Sequence, residues 1–147
     1  MKILVTGGSG YLGACLTEIL RTKGNRVFSL SRSAGPHVDD LACDLTDTAE
    51  ISAIGKDLSD QKIDAVVHLA SKLMCETLSQ SEVFGDNLEI SQGFIKLAKL
   101  LLPSKIIHAS STAVYPEISG VFDEESLIWP SVNSDALYGL SKFVAEN

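Results

Sequence analysis

One short stretch, KILVTGGSGYLGA from Lys2 to Ala14, constrains the fold more than anything else in the chain. Its first five residues are an apolar run ending in glycines, the pattern of a strand buried in a parallel sheet. From Tyr11 to about Lys23, Leu12, Cys15, Leu16, Ile19 and Leu20 recur at helical spacing, and Gly24-Asn25 supplies a stop. A strand, a glycine turn and a helix N-terminus in that order gather free backbone N–H groups and the positive end of the helix dipole, which suits a phosphate. Two glycine signatures overlap there. Gly8, Gly10 and Gly13 spell a narrow G-x-G-x-x-G; Gly7, Gly10 and Gly13 spell a wider G-x-x-G-x-x-G. Either suits a pyrophosphate, because glycine accepts positive φ and leaves room for the ligand.

The same alternation continues downstream. RVFSLS (26–31), LACD (41–44), DAVVHLA (64–70) and KIIHAS (105–110) read as further strands. Helices are predicted from Thr46 to about Leu58 with Asp47 in the first turn, from about Ser81 to Leu102 before Pro103, and through DALYGLSKFVAEN (135–147). Such alternation calls for right-handed crossovers and a sheet covered on both faces. The expected architecture is a single α/β domain over residues 1–147, a Rossmann-like doubly wound parallel sheet of strand order 3-2-1-4-5. Its ligand crevice lies at the switch point between strands 1 and 4. The one long irregular stretch, Tyr115 to Ser134, has a length that compact domains reserve for functional or poorly ordered loops.

Charge and cysteine usage exclude other classes. A formal net charge of −7 would repel nucleic acid. No apolar run reaches the ~18 residues of a membrane span, and the run after Lys2 is too short for a signal peptide. A cytoplasmic location without membrane attachment is therefore expected. Cys15, Cys43 and Cys75 form no C-x-x-C pair and read as buried reduced thiols, with no metal site.

The cofactor and the chemistry follow from three further segments. A carboxylate at the end of the second strand would bind the ribose 2′-hydroxyl of NAD. Here the strand ends Leu30-Ser31-Arg32, and an arginine fork with a serine hydroxyl suits a 2′-phosphate, which favours NADP over NAD. In YGLSK, Tyr138 and Lys142 stand four apart and share a helix face. A free tyrosine titrates near ~10 and is a poor base at neutral pH, but a nearby ammonium favours the phenolate. That pair suits proton removal from an alcohol losing hydride. Ser110, Ser111 and Thr112 follow the fifth strand and offer hydroxyls to the substrate oxygen.

Taken in order, TGGSGYLG, DLTD, HLAS, Asn87, SSTAVYP and YGLSK resemble the extended short-chain dehydrogenase/reductases, the NAD(P)-dependent nucleotide-sugar epimerase/dehydratase family that includes UDP-glucose 4-epimerase-like proteins. The resemblance covers the whole chain. It implies that Gly7, Gly10 and Gly13 form the working cradle, with Tyr11 and Leu12 after the pyrophosphate turn and Gly8 as a permissive turn residue. It further implies that Asp44 and Leu45 hold the adenine, that Leu69, Ala70 and Ser71 run along the cofactor, and that Lys72 and Asn87 lie near it. Ser111 matches the catalytic Ser/Thr, Tyr138 the catalytic base, and Lys142 the lysine that also holds the ribose. Pro116 replaces the glycine usual after Val-Tyr, and Thr112-Ala113 lacks the acidic pair of the dehydratases, so epimerisation or reduction is favoured over dehydration.

Relatives of this kind continue for about as many residues again and add a C-terminal substrate domain, so the chain is expected to lack that domain. It is then either part of a longer protein or dependent on a partner to cover strand five and the apolar stripe at Phe143 and Val144. Two functions remain: an NAD(P)-dependent epimerase or reductase of a nucleotide sugar, or a cofactor-binding module without turnover. The family also implies a homodimer through the Tyr138 helix.

Overall fold

The computed structural model describes residues 1–130 and 133–147; Ser131 and Val132, within the predicted irregular stretch, lie outside the described residues. Five strands form one parallel sheet: β1 (Lys2–Thr6), β2 (Arg26–Ser31), β3 (Asp40–Ala42), β4 (Ala65–His68) and β5 (Lys105–His108). Their spatial order is β3-β2-β1-β4-β5, as the sequence implies. The helices are α1 (Tyr11–Thr22), α2 (Thr48–Ser59), α3 (Gln80–Leu101) and α4 (Ala136–Glu146), and a 3-10 turn spans Thr112–Val114. The chain divides into two compact units, Met1–Ser71 with Ile90–Ala109, and Lys72–Glu89 with Ser110–Asn147.

In the first unit the central strands β1, β2 and β4 bury apolar residues on both faces of the sheet. Leu4, Phe28, Leu30 and Val66 pack with Ile51 and Leu58 of α2 and with Phe94, Leu97 and Leu101 of α3. On the opposite face Ile3, Val5 and Val27 pack with Leu16 and Leu20 of α1 and with Val67 and Leu69. Each such side chain fully withdrawn from water contributes roughly 1.5–3 kcal/mol. The β5 strand stands at the sheet's edge, and Ile106 and Ile107, on opposite faces, are both about half exposed.

Helix ends follow local chemistry. Asp47, expected inside the first turn of α2, is its N-cap: the carboxylate accepts from Ala49 N and Glu50 N, which delays the helix to Thr48. The α1 helix ends as predicted, with Gly24 at φ 81° and Asn25 N donating to Leu20 O.

The apolar periodicity of α1 misleads about its buried face. Gly13 and Thr17 are the buried residues, whereas Leu12 is 67% and Ile19 46% exposed, and Cys15 is exposed too. The start of the helix lies too close to the glycine turn for a side chain: a Cβ on Gly13 would overlap the Gly7 carbonyl. Of the expected apolar positions, Leu16 and Leu20 are the ones that pack on the sheet. The thiol expectation is corrected in the same way, since Cys15 and Cys75 are exposed and only Cys43 is buried.

Leu97, fully buried between α3 and the sheet, tests the main core. We expect Leu97→Ala to lower stability by about 2–5 kcal/mol, seen as a lower urea midpoint with an unchanged slope.

Candidate active site

The first unit carries the glycine turn expected to cradle a dinucleotide, at the carboxyl ends of β1, β2 and β4. Gly7 has φ 72°, and a Cβ there would come within 2.7 Å of Ala70 N and 2.9 Å of Leu69 C. The turn after β1 and the segment after β4 can therefore meet only through glycine. Gly10 caps α1 without a side chain, leaving the first-turn N–H groups of Tyr11, Leu12 and Gly13 with no side-chain cap. That opening, with the exposed position of Tyr11 and Leu12, suits a pyrophosphate. Gly7 N and Gly8 N both donate to Leu30 O at 2.8 and 3.3 Å, so these two amides hold the turn onto β2.

Gly8 is more than permissive. Its φ is not positive, but a Cβ there would overlap the Ser29 hydroxyl and stand 3.0 Å from Ser29 Cβ. The narrow signature thus has a packing reason, while the wide one supplies the positive φ and both backbone approaches.

At the end of β2, Ser31 Oγ accepts from Ser9 N at 2.8 Å, tying the glycine loop to the strand that carries Arg32. Arg32 is exposed. It helps hold the Asp44 carboxyl below its ordinary value, behind the larger effect of the Thr46 N–H and hydroxyl that donate to it at 2.9 and 2.8 Å. Asp44 is half-buried, whereas the Leu45 side chain belongs to the main core. Any base contact from Leu45 would thus come from its backbone.

A groove of about 320 Å³ opens beside the loop, lined by Ser9, Ser31, Ser33 and His37 along with Thr17, Glu18, Arg21 and Asp40. Arg21 is paired with Asp40 at 2.6 Å. Leu69, Ala70 and Ser71 are half-buried, and Leu69 N donates to Thr6 O at 3.1 Å.

The second unit carries the residues expected to move protons. Tyr138 is half-buried on α4, and Lys142 Nζ lies 5.8 Å from its ring centroid. Lys142 is 6% exposed, and burial holds its pKa below the ordinary lysine value. Ser111 is half-buried; its Oγ accepts from Ala113 N at 3.1 Å and caps the 3-10 turn. Gly139, which sequence reasoning passed over, brings these elements together: a Cβ on it would overlap the Ala113 carbonyl and come within 3.1 Å of Pro130 Cβ. Its signal was present as the second letter of YGLSK.

Asn87 is 4% exposed, and its amide binds the Lys72 backbone at both ends, accepting from Lys72 N at 2.7 Å and donating to Lys72 O at 3.0 Å. The asparagine holds the loop that begins at Lys72. The Lys72 ammonium lies 3.6 Å from Asp86, an exposed pair of small energetic weight. On the same loop, the hydroxyl and backbone of Thr77 hold the exposed Cys75 thiol below its ordinary pKa, whereas burial raises that of Cys43 to about 11.

Comparisons with known proteins give the family and the fold. The NAD dependent epimerase/dehydratase family matches residues 3–147, and the chain belongs to it. The human epimerase family protein SDR39U1 is 32% identical over 135 residues, covering 86% of this chain and 42% of that protein. The UDP-N-acetylglucosamine 4-epimerase from Bacillus cereus superposes with a TM-score of 0.79 at 31% identity, over 99% of this chain and 48% of its own. UDP-glucuronic acid 4-epimerase from Bacillus cereus, solved in complex with NAD, gives a TM-score of 0.77 at 26% identity, over 99% and 50%. The chain thus spans about half the length of these relatives. Among the described residues no helix is long and apolar enough to cross a membrane.

Two outcomes test this geometry. Gly139→Val should force α4 off the Ala113 turn and lower the melting temperature, because backbone has to move to admit the side chain. Of the oppositely shifted thiols, Cys75 should react with a disulfide reagent at neutral pH well before Cys43, as mass spectrometry of labelled peptides would show.

Proposed function

We propose that the chain carries the dinucleotide-binding and proton-transfer residues of an NAD(P)-dependent epimerase or reductase acting on a hydroxyl of a nucleotide sugar. The observation that supports this most is the buried Lys142 beside Tyr138 on a helix packed, through Gly139, on the turn capped by Ser111. A buried ammonium near a phenol has a chemical use that an exposed helix pair does not.

The nicotinamide supplies the hydride acceptor when the dinucleotide is bound. Tyr138 takes the proton from the sugar hydroxyl as its C–H bond is broken, leaving a ketone. Lys142 carries the charge opposite to the phenolate and binds ribose hydroxyls, while the Ser111 hydroxyl donates to the sugar oxygen. For epimerisation a bound nicotinamide would supply the hydride for the other face of the ketone, and the protonated Tyr138 gives its proton back to the oxygen. Thr112 and Ala113 carry no carboxylate, so these residues support epimerisation or reduction over elimination of water.

In the cradle, Tyr11, Leu12 and Gly13 bind the pyrophosphate, Asp44 meets the adenine end, and Leu69 to Ser71 run along the cofactor. Asn87 acts through the Lys72 backbone. NADP is the favoured dinucleotide. Glu18 and Asp40 put carboxylates in the neighbouring groove, so the positive charge facing a 2′-phosphate has to come from Arg32, with the Ser31 hydroxyl beside it. A dimer through α4, where Val144 is 47% exposed, completes the reading.

Two substitutions separate binding from chemistry. Tyr138→Phe should cut turnover by about 10²–10⁴-fold and leave dinucleotide affinity nearly intact in titration calorimetry. Loss of both would make Tyr138 structural, and absence of turnover in the unmodified chain with binding retained would favour the module without activity. Arg32→Asp should weaken NADP by about tenfold or more, the loss of one charge-assisted contact, while sparing NAD. Unchanged NADP affinity would contradict the assignment.

A further inference from the structure

Thr6 closes β1 immediately before the glycine turn and is fully buried. Its Oγ1 accepts from Ala70 N at 3.3 Å and lies 2.7 Å from Nδ1 of His68. A hydroxyl has one hydrogen to donate. Ala70 N brings its own, and among the described residues no other acceptor bonds the Thr6 hydroxyl. If His68 carried its proton on Nδ1, the Thr6 hydrogen would be buried without an acceptor, a cost of about 1–3 kcal/mol. The hydroxyl therefore donates, Nδ1 accepts, and the imidazole is neutral with its hydrogen on Nε2.

The ring has little freedom to do otherwise. His68 is 1% exposed, stacks on Phe94 at 4.0 Å and 8°, and faces the His108 ring at 5.3 Å. The atom it anchors is the one that holds Ala70 N, and Ala70 N is also the atom that a Cβ on Gly7 would meet first, at 2.7 Å. We propose that His68 is a positioning residue for the dinucleotide cradle: as the Nε2–H tautomer it orients the Thr6 hydroxyl, which sets the spacing between the Gly7 turn and the Leu69–Ala70 segment. This rests on the cradle binding a dinucleotide, as proposed above. It assigns the buried polar pair a role that strand pairing alone does not require.

Nitrogen NMR on the chain labelled at histidine should show an unprotonated Nδ1 and a protonated Nε2 for His68. A protonated Nδ1 would overturn the proposal. Dinucleotide affinity should then follow the hydroxyl rather than the packing. Thr6→Val, which keeps the shape, should bind about tenfold more weakly, and Thr6→Ser, which keeps only the hydroxyl, should bind close to the unmodified protein. A merely structural Thr6 would give the reverse order, with Val the better replacement, and that result would refute the positioning role. Circular dichroism confirms that each variant is folded at the titration temperature. An unmodified chain that shows the Nε2–H signature but binds neither dinucleotide would overturn the proposed function and with it this role, leaving the tautomer assignment in place.

Discussion

A contact between two backbones governs the first unit: the turn at Gly7 presses against the Leu69–Ala70 segment where β1 and β4 end side by side. Parallel neighbours at a switch point bring those ends together, and only a residue without Cβ at positive φ can occupy the place. The remaining glycines follow from the same crowding. Gly13 lies under the Gly7 carbonyl, a Cβ on Gly10 at the start of the helix would stand 3.2 Å from that oxygen, and Gly8 packs on Ser29. Thr6 ties the arrangement from beneath, with its carbonyl on Leu69 N and its hydroxyl on Ala70 N. A loop held this way needs little further ordering, which would favour the dinucleotide binding proposed for it.

The second unit depends on a similar approach. Gly139 lets α4 lie on the Ala113 carbonyl, and the lysine three positions further on becomes buried as a result. Burying an ammonium is costly, and burial lowers the Lys142 pKa accordingly. The proposed proton transfer at the neighbouring Tyr138 would give that lysine a use.

Much of this is legible in the sequence because apolar runs and glycines report backbone constraints directly. The strand order, the wide glycine signature and the YGLSK helix all stand where the pattern puts them. What escapes the pattern is set by tertiary contact. Periodicity puts Leu12, Cys15 and Ile19 with Leu16 and Leu20 on the inner face of α1, but only the latter two pack on the sheet, beside the buried Gly13 and Thr17. The pattern puts the third strand at 41–44, yet it pairs at Asp40–Ala42, because Asp44 turns away to bind Thr46. It runs the fourth strand through residue 70, yet the strand ends at His68: Leu69 N still bonds Thr6 O, but Ala70 N turns to the Thr6 hydroxyl beside the glycine turn. Nothing in the pattern of HLAS says that the histidine bonds Thr6, or that Asn87 holds Lys72. Such partners lie more than a dozen residues apart and depend on register.

The central claim is that a dinucleotide lies on the amides of the α1 N-terminus and along the segment after β4. Amide chemical-shift mapping during titration of the nitrogen-labelled chain with NADP and with NAD tests it most directly. The account predicts the largest changes at Tyr11, Leu12, Gly13, Ala70 and Ser71, with Arg32 responding more to NADP than to NAD. Saturable binding that leaves those amides unmoved would contradict it.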